Sequence, residues 1–174
     1  MKRALILLLL LAALAAFGGS CKGEKKEKPL SVEDYYTTIG ELDAGHQGTA
    51  AAIATPLQGQ DGTQALALYP DIFVQENDEL SRYIDDLTFL VPPTELTDAH
   101  YGLLDALEDL EFARINIEVE VEDATSLDEV QRLLSEGDAG DAVTRAVQLC
   151  GELEQRAAAA SVQADLNCEE LAGP

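Results

Sequence analysis

The sequence predicts an all-α fold: roughly a four-helix bundle with one short extra helix and an extended C-terminal tail tied back by a disulfide. Three observations predict it. The double proline Pro92-Pro93 cannot sit inside a helix, because each ring removes a backbone donor and pushes the preceding residue toward extended geometry. Helical apolar patterns run into this corner and out of it. No pair of alternating apolar segments stands out that would let two strands satisfy each other's backbone groups.

The first helix opens at Ser31-Val32-Glu33-Asp34, the pattern of a capping box, with Leu30 and Tyr35 placed as a hydrophobic staple. Its stripe is Tyr35, Ile39, Leu42, His46 and Ile53, weakened by Gly40, Gly45 and Gly48. A loop spans residues 55–62. The second helix begins near Thr63, is kinked or restarted by Pro70, and carries Tyr69, Phe73, Leu80, Ile84, Leu87 and Val91, with Glu76, Glu79, Asp85 and Asp86 off that stripe.

Thr94 is the expected N-cap of the third helix, whose stripe is Leu96, His100, Leu103, Leu107, Leu110 and Ile117. Residues 115–121 alternate as a strand would, yet Leu110, Ile117 and Val121 continue the helical stripe, so helix is predicted there. Ser126-Leu127-Asp128-Glu129 is a second capping box opening a short helix that stops at Gly137. The last helix is expected after Gly140, with Val143, Val147, Cys150, Leu153 and Ala157 inward.

Upstream of this domain the chain is of another kind. Lys2 and Arg3 precede fourteen unbroken apolar residues, 4–17, too few to span a bilayer, which needs ~20. Gly18-Gly19-Ser20 then leads directly into Cys21. That arrangement resembles the bacterial lipoprotein signal, although Gly18 stands where the usual pattern has a Leu-like residue. The resemblance implies a signal peptide over residues 1–20 and lipidation of Cys21, which becomes the mature N-terminus and anchors the protein to the membrane of the bacterial cell envelope. Lys22 follows Cys21; in Gram-negative lipoproteins an Asp there resembles an inner-membrane retention mark, so Lys22 favours the outer membrane. Residues 21–29 form a charged flexible linker, 30–168 the acidic bundle and 169–174 a disordered tail.

With Cys21 lipidated, Cys150 and Cys168 remain as an even pair in an exported protein, where disulfides persist. The helix after Cys150 advances ~15 Å to residue 160, and eight extended residues reach ~26 Å, so the tail can double back. Val162, Ala164 and Leu166 alternate with polar residues, giving it one side to lay on the bundle. The junction Leu87 to Leu103, read L-x-x-L-V-P-P-x-x-L-x-x-x-H-x-x-L, and the ending around Cys150 and Cys168 resemble those of small secreted or lipid-anchored bacterial helical proteins. That resemblance implies a bundle and no activity.

Charge divides the chain sharply. Residues 1–28 hold six bases and two acids of the chain's 11 and 33, leaving five bases, all arginine, and 31 acids on residues 29–174, a net of −26. Such a domain repels nucleic acid and anionic lipid. No serine sits in a nucleophile elbow, no glycine loop cradles phosphate and no haem signature is present, so neither an enzyme nor a cofactor is expected. A di-metal bundle needs paired Glu-x-x-His motifs; here Asp43-x-x-His46 occurs once and Thr97 precedes His100 by three. Both histidines lie on apolar stripes and are expected to be structural. The expected role is a non-catalytic envelope lipoprotein with an interaction or structural role, another envelope protein being its partner. The alternative is a metal-ion or small-ligand carrier using His46, His100 and Asp43.

The acid excess carries a prediction. Self-repulsion weakens as the Debye length shortens to ~3 Å at 1 M salt, so the melting temperature rises with added NaCl. A flat or falling dependence would remove repulsion as a significant influence on stability.

Overall fold

The computed structural model describes residues 28–164, 166–168 and 171. The expected signal peptide, Cys21, most of the linker and all of the tail except Leu171 lie outside these. Among the described residues there are six α-helices and no strand: α1 Val32–Ala54, α2 Gly62–Thr88, α3 Thr97–Asn116, α4 Glu118–Glu122, α5 Leu127–Ser135 and α6 Gly137–Ala159. None is long and apolar enough to cross a membrane.

The caps follow the sequence closely. Ser31 Oγ accepts from the Asp34 N–H at 3.1 Å and donates to its carboxylate at 2.7 Å. Asp61 Oδ1 accepts from the N–H groups of Thr63 and Gln64, which starts α2. Ser126 Oγ accepts from the Glu129 N–H, but the Glu129 carboxylate reaches one residue further back, to the N–H and hydroxyl of Thr125. Those two donors hold its carboxyl below the usual range.

Pro70 does not restart α2; the helix runs through it. Thr94 is not the N-cap of α3. It opens a single 3₁₀ turn, Thr94–Leu96, closed by the Leu96 N–H on the Pro93 carbonyl, and α3 begins at Thr97. Residues 115–121 are helical apart from a one-residue break at Ile117. α6 begins at Gly137, three residues before Gly140. Gly137 has φ +60°, which turns the chain sharply out of α5, and a Cβ on Gly140 would collide with the Ser135 carbonyl oxygen. The two short helices thus meet the last long one through a corner that only glycine permits.

Side-chain pairs give the directions. His46 meets Glu79 and Asp86, Arg114 meets Glu76, Ser81 donates to Glu111, and Arg145 pairs with Asp109. Arg156 Nη1 lies 3.5 Å from the Glu95 carbonyl oxygen. Along α1–α2, α2–α3 and α3–α6 the numbers rise on one helix as they fall on the other, so the four long helices run up, down, up, down. Tyr36 closes the ring by donating to the Leu153 carbonyl at 2.8 Å, α1 to α6. The Leu30 N–H donates to the Val91 carbonyl at 3.0 Å and fastens the N-terminal entry to the proline corner.

The most extensive packing is between α3 and α6. α3 buries Ala99, Ala106 and Ala113, spaced by seven; α6 buries Ala139, Ala146 and Leu153, also spaced by seven. The register set by Arg145 on Asp109 and Leu149 beside Gly102 puts Ala106 across from Ala146 and Ala113 across from Ala139. Small residues let the two backbones come close. Val143 and Val147, expected inward, are only half-buried, because the seam takes alanines in their place.

Cys150 and Cys168 form the disulfide, with Cα atoms 5.6 Å apart. The tail turns back through a Schellman motif: the Val162 N–H bonds the Ala157 carbonyl and the Ser161 N–H that of Ala158, with Ser161 at φ +59°. Val162 and Ala164 pack against the core, Leu166 is buried, and Gln163 faces out. Leu171 is half-buried on the same core. Closing a loop of this length is worth roughly 3 kcal/mol by chain entropy.

The seam can be tested by overfilling it. Ala146→Leu costs about 1–3 kcal/mol in urea unfolding, whereas Ala158→Leu on the exposed side of α6 stays within about 0.5 kcal/mol. Equal effects would mean that α3 and α6 are not closely packed.

Candidate functional site

Two polar clusters lie between α1 and its neighbours, and both sequence-predicted histidines sit in them. α1 presents Asp43, His46 and Gln47 toward α2, which answers with Glu79, Tyr83 and Asp86, spaced four and three on one face. His46 Nδ1 faces Glu79 Oε1 at 2.5 Å and Nε2 faces Asp86 Oδ2 at 3.0 Å. The second Glu79 oxygen forms an ion pair with Arg82 at 2.8 Å. Glu79, expected off the apolar stripe, is therefore buried; a carboxylate tolerates burial when both oxygens face cations or donors.

Both ring nitrogens thus face carboxylate oxygens, a clamp between α1 and α2 that leaves neither nitrogen turned toward the groove beside it. The clamp floors a groove of about 540 Å³ between α1 and α2, with Leu42, Asp85 and the exposed Phe89 along its walls.

Asp43 is buried beside the clamp. It takes a hydrogen bond from Tyr83, another from Gln47 Nε2 at 2.9 Å, and has Asn167 Nδ2 at 3.5 Å, so the returning tail reaches α1 here. Burial, and then the Asp43 charge, push the Tyr83 phenol well above its ordinary range.

His100 sits deeper, in α3, only 1% exposed. Its Nδ1 is 3.0 Å from the Tyr35 hydroxyl, and its buried Nε2 has no partner among the described residues. Desolvation lowers its pKa, which favours the neutral ring. Tyr35, likewise buried, has its pKa raised, chiefly by desolvation.

His46, His100 and Asp43 therefore do not form one site. His46 is held by Glu79 and Asp86, His100 by Tyr35, and Asp43 by Tyr83 and Gln47. Among the described residues no group of three His, Cys, Asp or Glu side chains is arranged to hold a metal ion. Sequence reasoning placed the histidines but missed Glu79, Tyr83 and Asp86. Their shared spacing was the available signal: three polar side chains on one face, opposite the Asp43/His46 pair.

A third cluster lies between α2 and α3. Arg114 donates to Asn77 Oδ1 at 2.6 Å and Glu76 at 2.9 Å, and its guanidinium lies 4.6 Å from the centroid of the Phe73 ring. Tyr69 stacks on Phe73, and burial, with Glu76 adding to it, pushes its phenol up to about 12. These contacts tie α3 to α2.

The Tyr35–His100 pair makes two measurable claims. Tyr35→Phe strands a buried ring nitrogen and costs about 1–3 kcal/mol in urea unfolding. His100 also sets a pH dependence. Because its folded pKa lies below the ordinary 6.5, the unfolded chain takes up the proton first on acidification. Its contribution is intact above pH 6.5 and is lost as pH falls toward the folded pKa. Between about pH 7.5 and about pH 5.5 the wild type therefore loses more stability than His100→Gln does; equal slopes would show that the ring titrates freely.

No protein-family model, curated protein or solved structure matches this chain.

Proposed function

We propose that the chain is a lipid-anchored protein of the bacterial cell envelope whose bundle is non-catalytic and serves as an interaction or structural module. The observation that carries this reading is the segment Lys2-Arg3, apolar residues 4–17, Gly18-Gly19-Ser20 and Cys21, followed by a polar linker. The Cys150–Cys168 disulfide accords with an oxidising compartment. The lipid holds the bundle at the membrane, with Lys22 favouring the outer membrane in a Gram-negative cell. The acidic surface keeps the folded part off anionic headgroups.

A non-catalytic role is supported by where the chemically able side chains are spent. His46, Glu79, Asp86, Asp43 and Tyr83 join α1 to α2, and His100 is sealed in the core. His46, His100 and Asp43, the residues of the carrier alternative, each have separate partners: Glu79 and Asp86, Tyr35, and Tyr83 with Gln47.

Anchoring is tested at Cys21. The mature protein begins at Cys21 with a lipid-modified N-terminus by mass spectrometry, and a fatty-acid label enters the wild type but not Cys21→Ser. An unmodified N-terminus at any other residue would end the proposal.

A further inference from the structure

At the C-terminal end of α3 the bundle presents apolar side chains outward. Phe112 is 68% exposed, Ile115 52% and Val119 66%. They are spaced three and four apart, across a break at Ile117 where φ is −97° and ψ 3°, so the chain keeps turning. The opposite face of α3 already carries its core residues, Leu103, Leu107 and Leu110. α3 is packed by α2 on one side and α6 on the other, and α4 packs on α2. The stripe is therefore surplus to the core. Three large apolar side chains at helical spacing are the anchor pattern of helix-mediated recognition.

The rim identifies the partner. Residues 105–123 carry eight acids and one base, Arg114, which is turned inward to Glu76, Asn77 and Phe73. Glu118 and Glu120 flank Val119 in the chain, Glu122 follows one turn on, and all three are exposed. A second copy would bring the same net −26 on residues 29–174 against this rim, and an anionic bilayer would be repelled in the same way. The chain's own basic stretch, residues 22–28, has no apolar side chain to seat on the stripe. The described chain enters at Leu30 beside the proline corner, and Ile115 lies ~27 Å further along α3.

We propose that Phe112, Ile115 and Val119, rimmed by the α4 glutamates, form a docking surface for a basic amphipathic segment of a partner protein. Apolar side chains of that segment seat on the stripe while its Lys and Arg meet the acidic rim, which also speeds encounter. The inference rests on the reading of the bundle as an interaction module and deepens it.

The test uses the full, disulfide-intact chain in zwitterionic nanodiscs with a synthetic amphipathic Leu/Lys helix as probe. The wild type binds it. Phe112→Ser/Val119→Ser weakens binding at least about tenfold with an unchanged melting temperature, as does Glu118→Lys/Glu120→Lys, whose side chains are exposed. The same peptide with Ser for Leu shows no difference between wild type and Phe112→Ser/Val119→Ser. Equal binding of the Leu/Lys helix by wild type and both variants overturns the proposal. So does self-association, or co-sedimentation with anionic vesicles, that Phe112→Ser abolishes. In cells, a photo-cross-linking residue at position 112 captures protein more efficiently than one at exposed Gln75. Adducts from position 75 without any from 112 overturn the surface and leave the interaction reading standing; none from either position counts against both.

Discussion

The close approach of α3 and α6 is the constraint on which the rest of the bundle depends. α3 has α2 on one flank and α6 on the other, and α6 carries Cys150 and receives the Tyr36 hydroxyl from α1. Alanines contribute little apolar area each, so the seam is not held by transfer of large side chains out of water. Its gain is density: dispersion contacts accumulate when backbones come near, and are forfeited when a gap of even half an ångström opens. A seam of this kind is intolerant of added volume. It also fixes register, because the alanines match only where seven-residue spacings on both helices coincide. Once α3 and α6 are set, the glycine corner at Gly137 and Gly140 determines where α5 lies.

Much of the fold was legible because large apolar residues at helical spacing face inward. The stripes of α1, α2 and α3, the proline corner, both serine caps, and the returning disulfide tail all follow from that logic and from turn chemistry. What was not legible has a common cause. Periodicity weighs large side chains, so alanine counts for little and Val143 and Val147 drew the eye instead of Ala142 and Ala146. The α6 start was missed because Gly137, which ends α5, also begins α6. Tyr36 and Tyr83 stood off the apolar stripes, and nothing in one helix reveals the Leu153 carbonyl or the Asp43 carboxylate waiting on another. Asp43 and His46 were visible as a pair, but their partners Glu79 and Asp86 required knowing that α1 lies against α2.

Four of the five arginines of the folded part have a defined partner. Arg114 joins α3 to α2, Arg145 joins α6 to α3, Arg156 reaches the start of α3, and Arg82 neutralises the second oxygen of buried Glu79. An exposed ion pair adds little to stability, about 0–1 kcal/mol. In a chain with 31 acids on this part, Arg114 and Arg145 do something else: each marks where two acidic helices lie side by side.

The segregation of basic residues has a consequence for what a protease meets. Every lysine of the chain lies at or before residue 28, and four of the five occupy the short polar stretch between Cys21 and the bundle. The five later cleavage points for a trypsin-like enzyme are arginines within helices α2, α3, α5 and α6, where the backbone is not presented in the extended form such an enzyme needs. Under the proposed lipid anchoring, a single nick near the lysines would free an intact acidic bundle from the membrane, still closed by its disulfide. Under the same proposal the lysine-rich stretch is the point of release.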